Sequence, residues 1–303
     1  MLGGMILFRF CAVRRFVLSA CLLAFCLASS RADQFTYNGF SSTAGLTFAG
    51  SATTTVTSDG TVLRLTPAAD SQAGAAYSTT AFALGASDTF STAFQFRFTN
   101  AGGIDPADGI TFVLAASPTG LGGGGGAIGY GGVPNSVAIE FDTYNNDGPD
   151  GNSSNHVGID TGGALNDIGL TNVYGNGSCG FPGGFPAQNP NNVAGCMSNG
   201  DLWTVNVSYN GSNLSVTLQD SAESSAFTAF NSFPIDIASA LGTNTAFVGF
   251  TAGTGAGNEN HDIINWTFAN TAQISNTPEP SSLIMLGTGL LGFAGILRRK
   301  LGV

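Results

Sequence analysis

Residues 137–160 read VAIEFDTYNNDGPDGNSSNHVGID. Val137, Ile139 and Phe141 alternate with Ala138, Glu140 and Asp142, and that period of two predicts a strand with one buried face. The other face carries Glu140 and Asp142 at i and i+2, about 7 Å apart in an extended chain. Two like charges at that spacing repel, and a fold tolerates them best around a cation. The loop that follows is rich in oxygen ligands, with Tyr144, Asn146, Asp147, Asp150 and Asn152, and it ends at His156 before a second apolar strand starts at Val157. A hard cation such as Ca²⁺ takes six to eight oxygens. One imidazole beside carboxylates suits a transition ion such as Mn²⁺. From spacing alone the segment reads equally as a metal loop or as a polar surface loop.

The block also resembles the metal and sugar loop of the legume-type (L-type) lectins, with V-A-x-E-F-D-T-Y-x-N, a further Asp, and H-V-G-I-D. The resemblance implies that Glu140, Asp142, Asp150 and His156 hold a transition metal. It likewise implies that Asp142, the Tyr144 carbonyl, Asn146 and Asp150 hold Ca²⁺. One departure is visible: Asp150 lies ten residues after Glu140 and precedes Gly151, where many members have eleven residues and then Pro, so Asp147 is a rival ligand.

Outward from this block the texture is all-β. Thr89–Phe98 alternates, placing Phe90, Phe94, Phe96 and Phe98 on one face. The runs 202–209 and 214–218 flank Asn210-Gly211-Ser212-Asn213 and predict a hairpin. The runs 246–250 and 263–268 supply late strands, and no convincing helix is found between the ends. About 240 residues of this kind fit one β-sandwich, and no internal repeat is evident. The lectin resemblance covers roughly 34–269 and implies a concanavalin A-like jelly roll with a flat back sheet and a curved front sheet. The domain is therefore expected over 33–270, with 172–199 as an ornamented loop.

Three segments resemble the family's sugar-binding loops. In Ala107-Asp108-Gly109, Asp108 would accept sugar hydroxyl protons, and the resemblance implies a cis Ala107–Asp108 peptide. In the Gly122–Gly132 tract the amide of Gly126 would donate to a sugar oxygen, glycine allowing close backbone approach. No Gly-Lys-Ser/Thr follows that tract, which excludes a phosphate-cradling loop. From the metal loop, Asn146 and the ring of Tyr144 would complete the contact. Gly253–Asn260 is the expected specificity loop, and His261 reads as a structural residue entering the last strand.

The ends read as address labels. Residues 1–32 carry Arg9, Arg14 and Arg15, the apolar run Phe16–Ala28 and a small-x-small site before Asp33, the pattern of a secretory signal peptide. Residues 271–303 hold Pro278-Glu279-Pro280, an apolar stretch 283–297 and Arg298-Arg299-Lys300. This resembles the PEP-CTERM sorting tail of Gram-negative bacteria, which implies an exosortase-type protease as partner. It also implies delivery outside the cell or to its surface, with the apolar stretch as a short membrane helix. Export leaves Cys179 and Cys196 as the pair outside the leader, and in an oxidising compartment they are expected to form a disulfide.

Between the ends only Arg64 and Arg97 stand against 18 of the 19 acids, which excludes nucleic acid as a partner and suits cation binding. An enzyme reading fails on residues. Laminarinase-like hydrolases need a second acid in E-x-D-x-x-E, and that position is Asn145. The resemblance implies Ca²⁺-dependent, non-catalytic binding of carbohydrate or exopolysaccharide, and the exposed back sheet is where lectins of this kind often pair as homodimers, although the sequence itself does not give the oligomeric state. The alternative is a structural matrix or adhesion protein that keeps the fold without binding sugar.

Overall fold

The computed structural model describes residues 33–84, 89–180 and 193–271. The signal-like segment 1–32 lies outside the described residues, as does the sorting tail from 272 onward with its apolar stretch. Among the described residues no helix is long and apolar enough to cross a membrane.

In chain order the strands are β1 (Gln34–Tyr37), β2 (Leu46–Gly50), β3 (Thr53–Thr57), β4 (Gly60–Thr66), β5 (Ala73–Ser78), β6 (Phe82–Ala83), β7 (Thr89–Gly103) and β8 (Gly109–Ala115). They continue with β9 (Ser136–Asp142), β10 (His156–Thr161), β11 (Ala164–Asn172), β12 (Trp203–Asn210), β13 (Asn213–Asp220), β14 (Phe227–Pro234), β15 (Thr245–Gly253) and β16 (Gly257–Ala269). They form two sheets. One has the order β14-β13-β12-β7-β16-β4-β3, with β1 also on β16. The other runs β11-β10-β9-β8-β15-β5-β2, with β6 also on β15. Every pairing between these strands is antiparallel.

The alternation read from the sequence sets the core between the sheets. Phe90, Phe94, Phe96 and Phe98 of β7 are buried and face Phe112, Phe141 and Phe250 of the second sheet. Phe94 meets Phe250 and Phe141 edge-on, with centroids 4.9 and 5.7 Å apart, the geometry that aromatic quadrupoles prefer. Thr92 takes the one place in this row where a phenylalanine would fail, because its hydroxyl accepts the indole N–H of buried Trp266 at 2.9 Å. The β12–β13 hairpin turns through Gly211 and Ser212, as expected.

Three expectations are corrected. Both faces of β9 are buried, so Glu140 and Asp142 sit under loops rather than on an open face. A short helix, α1 (Ile237–Leu241), interrupts the strands. The Asp236 carboxylate caps it by accepting the Ser239 amide, Gly242 ends it at φ 68°, and its i, i+4 pair Ile237 and Leu241 is buried. The expected specificity loop is mostly strand, leaving only Thr254–Ala256 as a turn between β15 and β16. Its asparagines look like loop residues but are paired inside the fold. Asn260 Oδ1 accepts the Ala68 amide at 2.8 Å, and Asn258 Nδ2 donates to Asp70 at 2.7 Å.

Candidate functional site

The register of three adjacent strands gathers the acids. Asp142 on β9 stands opposite His156 on β10 and Gly109 on β8, while Glu140 stands opposite Gly158 and Thr111. His156 therefore shares a face with both carboxylates, and its side chain is fully buried. The intervening loop folds back so that Asp150 reaches the same place. Ligand atoms of Asp142, Asp150 and His156 all lie within 4.8 Å of one another. A second group, Glu140, His156 and Asp167, meets the same limit, so His156 belongs to both. Asp147 stays outside: it is exposed, with φ 69°, and its carbonyl accepts the amides of Asp150 and Asn152.

Hydrogen bonds shape the loop between the carboxylates. The Tyr144 amide donates to Asp142 Oδ1 at 2.7 Å, and the Asn146 amide donates to the Asp150 carboxylate. The Thr143 hydroxyl donates to buried Glu259 at 2.7 Å. Behind the loop, Asn155 binds the disulfide-bridged segment. Its Oδ1 accepts the Met197 amide at 3.0 Å, and its Nδ2 donates to the Gly195 carbonyl at 2.8 Å. Cys179 and Cys196 are disulfide-bonded, and the Cys179 amide donates to Ser154 Oγ.

So many buried carboxylates are electrostatically costly without a cation. Burial holds Glu140 well above the usual carboxylate range, and the nearby charges of Asp142, Asp160 and Asp167 add to it. Asp142 is also held well above its ordinary value, first by burial and then by Asp150, with His156 opposing. Burial raises Asp150 and Asp167 as well. Burial disfavours protonated His156, but the Asp167 carboxylate close beside it and the charges of Asp142 and Asp150 outweigh it and raise its pKa.

The donor set fits cations. Neither ring nitrogen of His156 has a hydrogen-bond partner, and Asp167 Oδ1 has none either, although all three atoms are buried. An imidazole among carboxylates matches a transition ion. Asp142 and Asp150, with the Asn146 amide oxygen and the Tyr144 carbonyl in the same loop, are oxygen donors of the harder kind that Ca²⁺ could take.

Asp108 lies next to this cluster, pinned from two sides. Its amide donates to the Gly253 carbonyl at 3.0 Å, and its carbonyl accepts the Thr143 amide at 2.9 Å. The Ala107–Asp108 peptide is cis. Asp108 Oδ2 is buried without a partner. Burial, the charge of Glu259 and that of Asp150 push the carboxyl up to about 7, against a hydrogen bond from the Gly255 backbone. The glycine tract packs on the same end of the sheet, the Gly125 amide donating to the Thr254 carbonyl at 2.8 Å. Gly126 lies against the Asn146 side chain. Tyr144 is half-buried and Asn146 exposed, both on the open side of the cluster. His261 is a structural residue within β16, its Nδ1 2.6 Å from Thr66 Oγ1 and its ring edge-on to Phe98.

Asp167, Asp160 and Glu259 escaped the sequence reading. Asp167 lies beyond a turn and outside any motif quoted above. Glu259 sits in a stretch that reads as loop. The alternation in His156–Asp160 does place Asp160 on the His156 face, and that signal was available.

The comparisons with known proteins come out alike. A legume lectin domain model matches residues 32–284, and a PEP-CTERM protein-sorting motif matches residues 276–300. A probable L-type lectin-domain containing receptor kinase VII.2 of Arabidopsis thaliana is 30% identical over 189 residues, 60% of this chain and 26% of its own length. The chain spans only 26% to 42% of the length of the Arabidopsis receptor kinases it matches. The seed lectin of Vatairea macrocarpa is 29% identical over 192 residues, 61% of this chain and 69% of that one. Among solved structures, peanut lectin with a nine-residue peptide aligns at 25% identity and a TM-score of 0.62, covering 79% of this chain and 97% of that one. Basic winged bean lectin with Tn-antigen gives 25% and 0.61, covering 79% and 98%. With two antiparallel sheets of matching architecture and a family model that spans all the described residues, the chain belongs to the legume lectin domain family.

Proposed function

We propose that this protein is an exported lectin that binds carbohydrate reversibly, without catalysis, and in a Ca²⁺-dependent way. The observation that carries the reading is Asp108 Oδ2, a buried acceptor without a partner, beside the Gly126–Asn146 contact and the acid–imidazole cluster. Asp108 is placed to accept sugar hydroxyls and the Gly126 amide to donate one hydrogen bond. Asn146 would donate its NH₂ while its oxygen serves the cation, and the Tyr144 ring would cover an apolar sugar face. Glu140, Asp142, Asp150 and His156 would hold a transition ion, and Asp142, Tyr144, Asn146 and Asp150 would hold Ca²⁺. The bound cations would neutralise the buried carboxylates and fix the loop that carries Asn146. Solved relatives of the same fold include complexes with N-acetylgalactosamine and with galactose, which makes a hexose the first ligand class to try.

The sorting motif at 276–300 supports export and sorting to the cell surface through an exosortase-type protease. Residues 1–32 would serve as the signal peptide that starts this route. Pairing of two copies through the other sheet is part of the proposal. Its outward row Thr204, Asn206 and Ser208 on β12, with Ser215, Thr217 and Gln219 on β13, carries no charge to repel a second copy.

Calorimetric titration of Ca²⁺ into the chelated protein, followed by a glycan array with and without the metal, tests the function. Metal-dependent capture of a glycan is expected. Ca²⁺ uptake with no glycan captured would instead favour a matrix or adhesion protein.

A further inference from the structure

Asp167 has no part in the ligand set proposed above, yet the structure goes to some length to aim it at His156. The β10–β11 pairing loses register between Ile159 and Thr161, and the longer side of that irregularity, on β11, contains Asp167. Such bulges re-aim a side chain beside a site. Here the bulge is held by Asp160, whose Oδ1 accepts the amides of Asn166 and Asp167 at 2.9 Å each, and Asp167 takes a left-handed φ of 45°. The side chain crosses the strand where β10 has a glycine. A Cβ on Gly158 would stand 1.8 Å from Asp167 Oδ1. The carboxylate ends 6% exposed, with Oδ2 3.3 Å from His156 Nε2 and Oδ1 unpartnered.

A charge-assisted N–H···O bond is usually about 2.7–2.9 Å, shorter than this approach. Neighbouring ligands on one octahedral ion, with metal–ligand bonds of about 2.1 Å, stand about 3 Å apart, close to what is seen. Charge agrees for these four: two divalent ions balance Glu140, Asp142, Asp150 and Asp167, while Asp160 uses Oδ1 to accept two backbone amides and keeps a buried Oδ2 without a partner.

We propose that Asp167 is a further protein ligand of the transition-ion site, binding the ion beside Glu140 and His156. The proposal rests on the two-ion reading given above and adds a residue to it. A transition ion there has one water fewer than it would have without Asp167.

The test is Mn²⁺ titration of the full chain at saturating Ca²⁺, followed by electron paramagnetic resonance of the free ion, together with water-proton relaxation at saturating Mn²⁺. For Asp167→Ala, Mn²⁺ affinity should fall at least about tenfold and relaxivity per bound ion should rise, as a water replaces the carboxylate. Asp167→Asn, which keeps the shape, should also weaken binding at least about tenfold and keeps the test open if the alanine variant does not fold. Gly158→Ala should weaken binding with the carboxylate intact, and Asp147→Ala should change nothing. Unchanged hydration and affinity in Asp167→Ala would overturn the proposal. So would weaker binding with unchanged hydration, which would mean that Asp167 acts only by orienting His156. A wild-type chain that takes up no Mn²⁺ overturns the two-ion reading itself, and this proposal with it.

Discussion

A Cβ built on Gly126 stands 2.5 Å from Asn146 Oδ1 and 2.8 Å from its Nδ2. The glycine tract and the metal loop are thus fitted to each other at one atom. Gly126→Ala should push Asn146 aside and weaken both Ca²⁺ and glycan binding, by about two- to tenfold for the loss of one neutral hydrogen bond. Titration of the purified variant checks this. Wild-type affinity for both ligands would separate the two loops functionally.

Asp108 makes the opposite prediction. Its side chain bonds to none of the metal-loop residues, so Asp108→Ala should leave folding and Ca²⁺ affinity largely intact. Glycan capture should fall by about 10- to 100-fold or more, because hydrogen bonds to a charged group contribute about 1.5–3 kcal/mol each. A glycan array on the variant reads the result directly.

Chelation should act on stability as well as on binding. A cation present at about a hundred times its Kd stabilises by about 2.7 kcal/mol, which for a domain of this size is about 5–10 °C in Tm. Scanning calorimetry with and without EDTA measures the shift, and sugar binding should disappear over the same chelator range. An unchanged Tm would refute the metal reading.

The disulfide should support the metal loop through Asn155, which ties Met197 and Gly195 to the residue beside His156. Closing a loop of this size stabilises by about 3 kcal/mol in the chain-entropy model. Cys179→Ser should therefore lower Tm by about 6–12 °C, and it should also weaken Mn²⁺ binding. A lower Tm with unchanged Mn²⁺ affinity would confine the bridge to a general role.

How much could be read in the chain differs with the kind of interaction. The phenylalanine row of β7 and the alternation of β9 were legible because a strand's period is local, and burial of one face follows from it. Glu140, Asp142 and His156 were legible for the same reason, since the β9–β10 pairing only brings together what the alternation already put on one face. Asp167 was not: it reaches the cluster through a bulge fixed by Asp160 and a gap at Gly158, neither of which has a sequence period. Glu259 and Asn260 were misread because polar residues in a strand look like loop until their partners, Thr143 and the Ala68 amide, are in view.

The strand order also bears on when the site can exist. β15 lies between β5 and β8 in one sheet, and β16 lies between β7 and β4 in the other. Each sheet thus receives a central member from the last part of the chain, and these long-range pairings are slow to form. A nascent chain that has emerged only as far as β14 already carries Glu140, Asp142, Asp150 and His156. It still lacks the Gly253 carbonyl that holds Asp108 and the Glu259 carboxylate that holds Thr143. The positions of Asp108 and Thr143 are thereby fixed only once nearly the whole domain is available to fold around them.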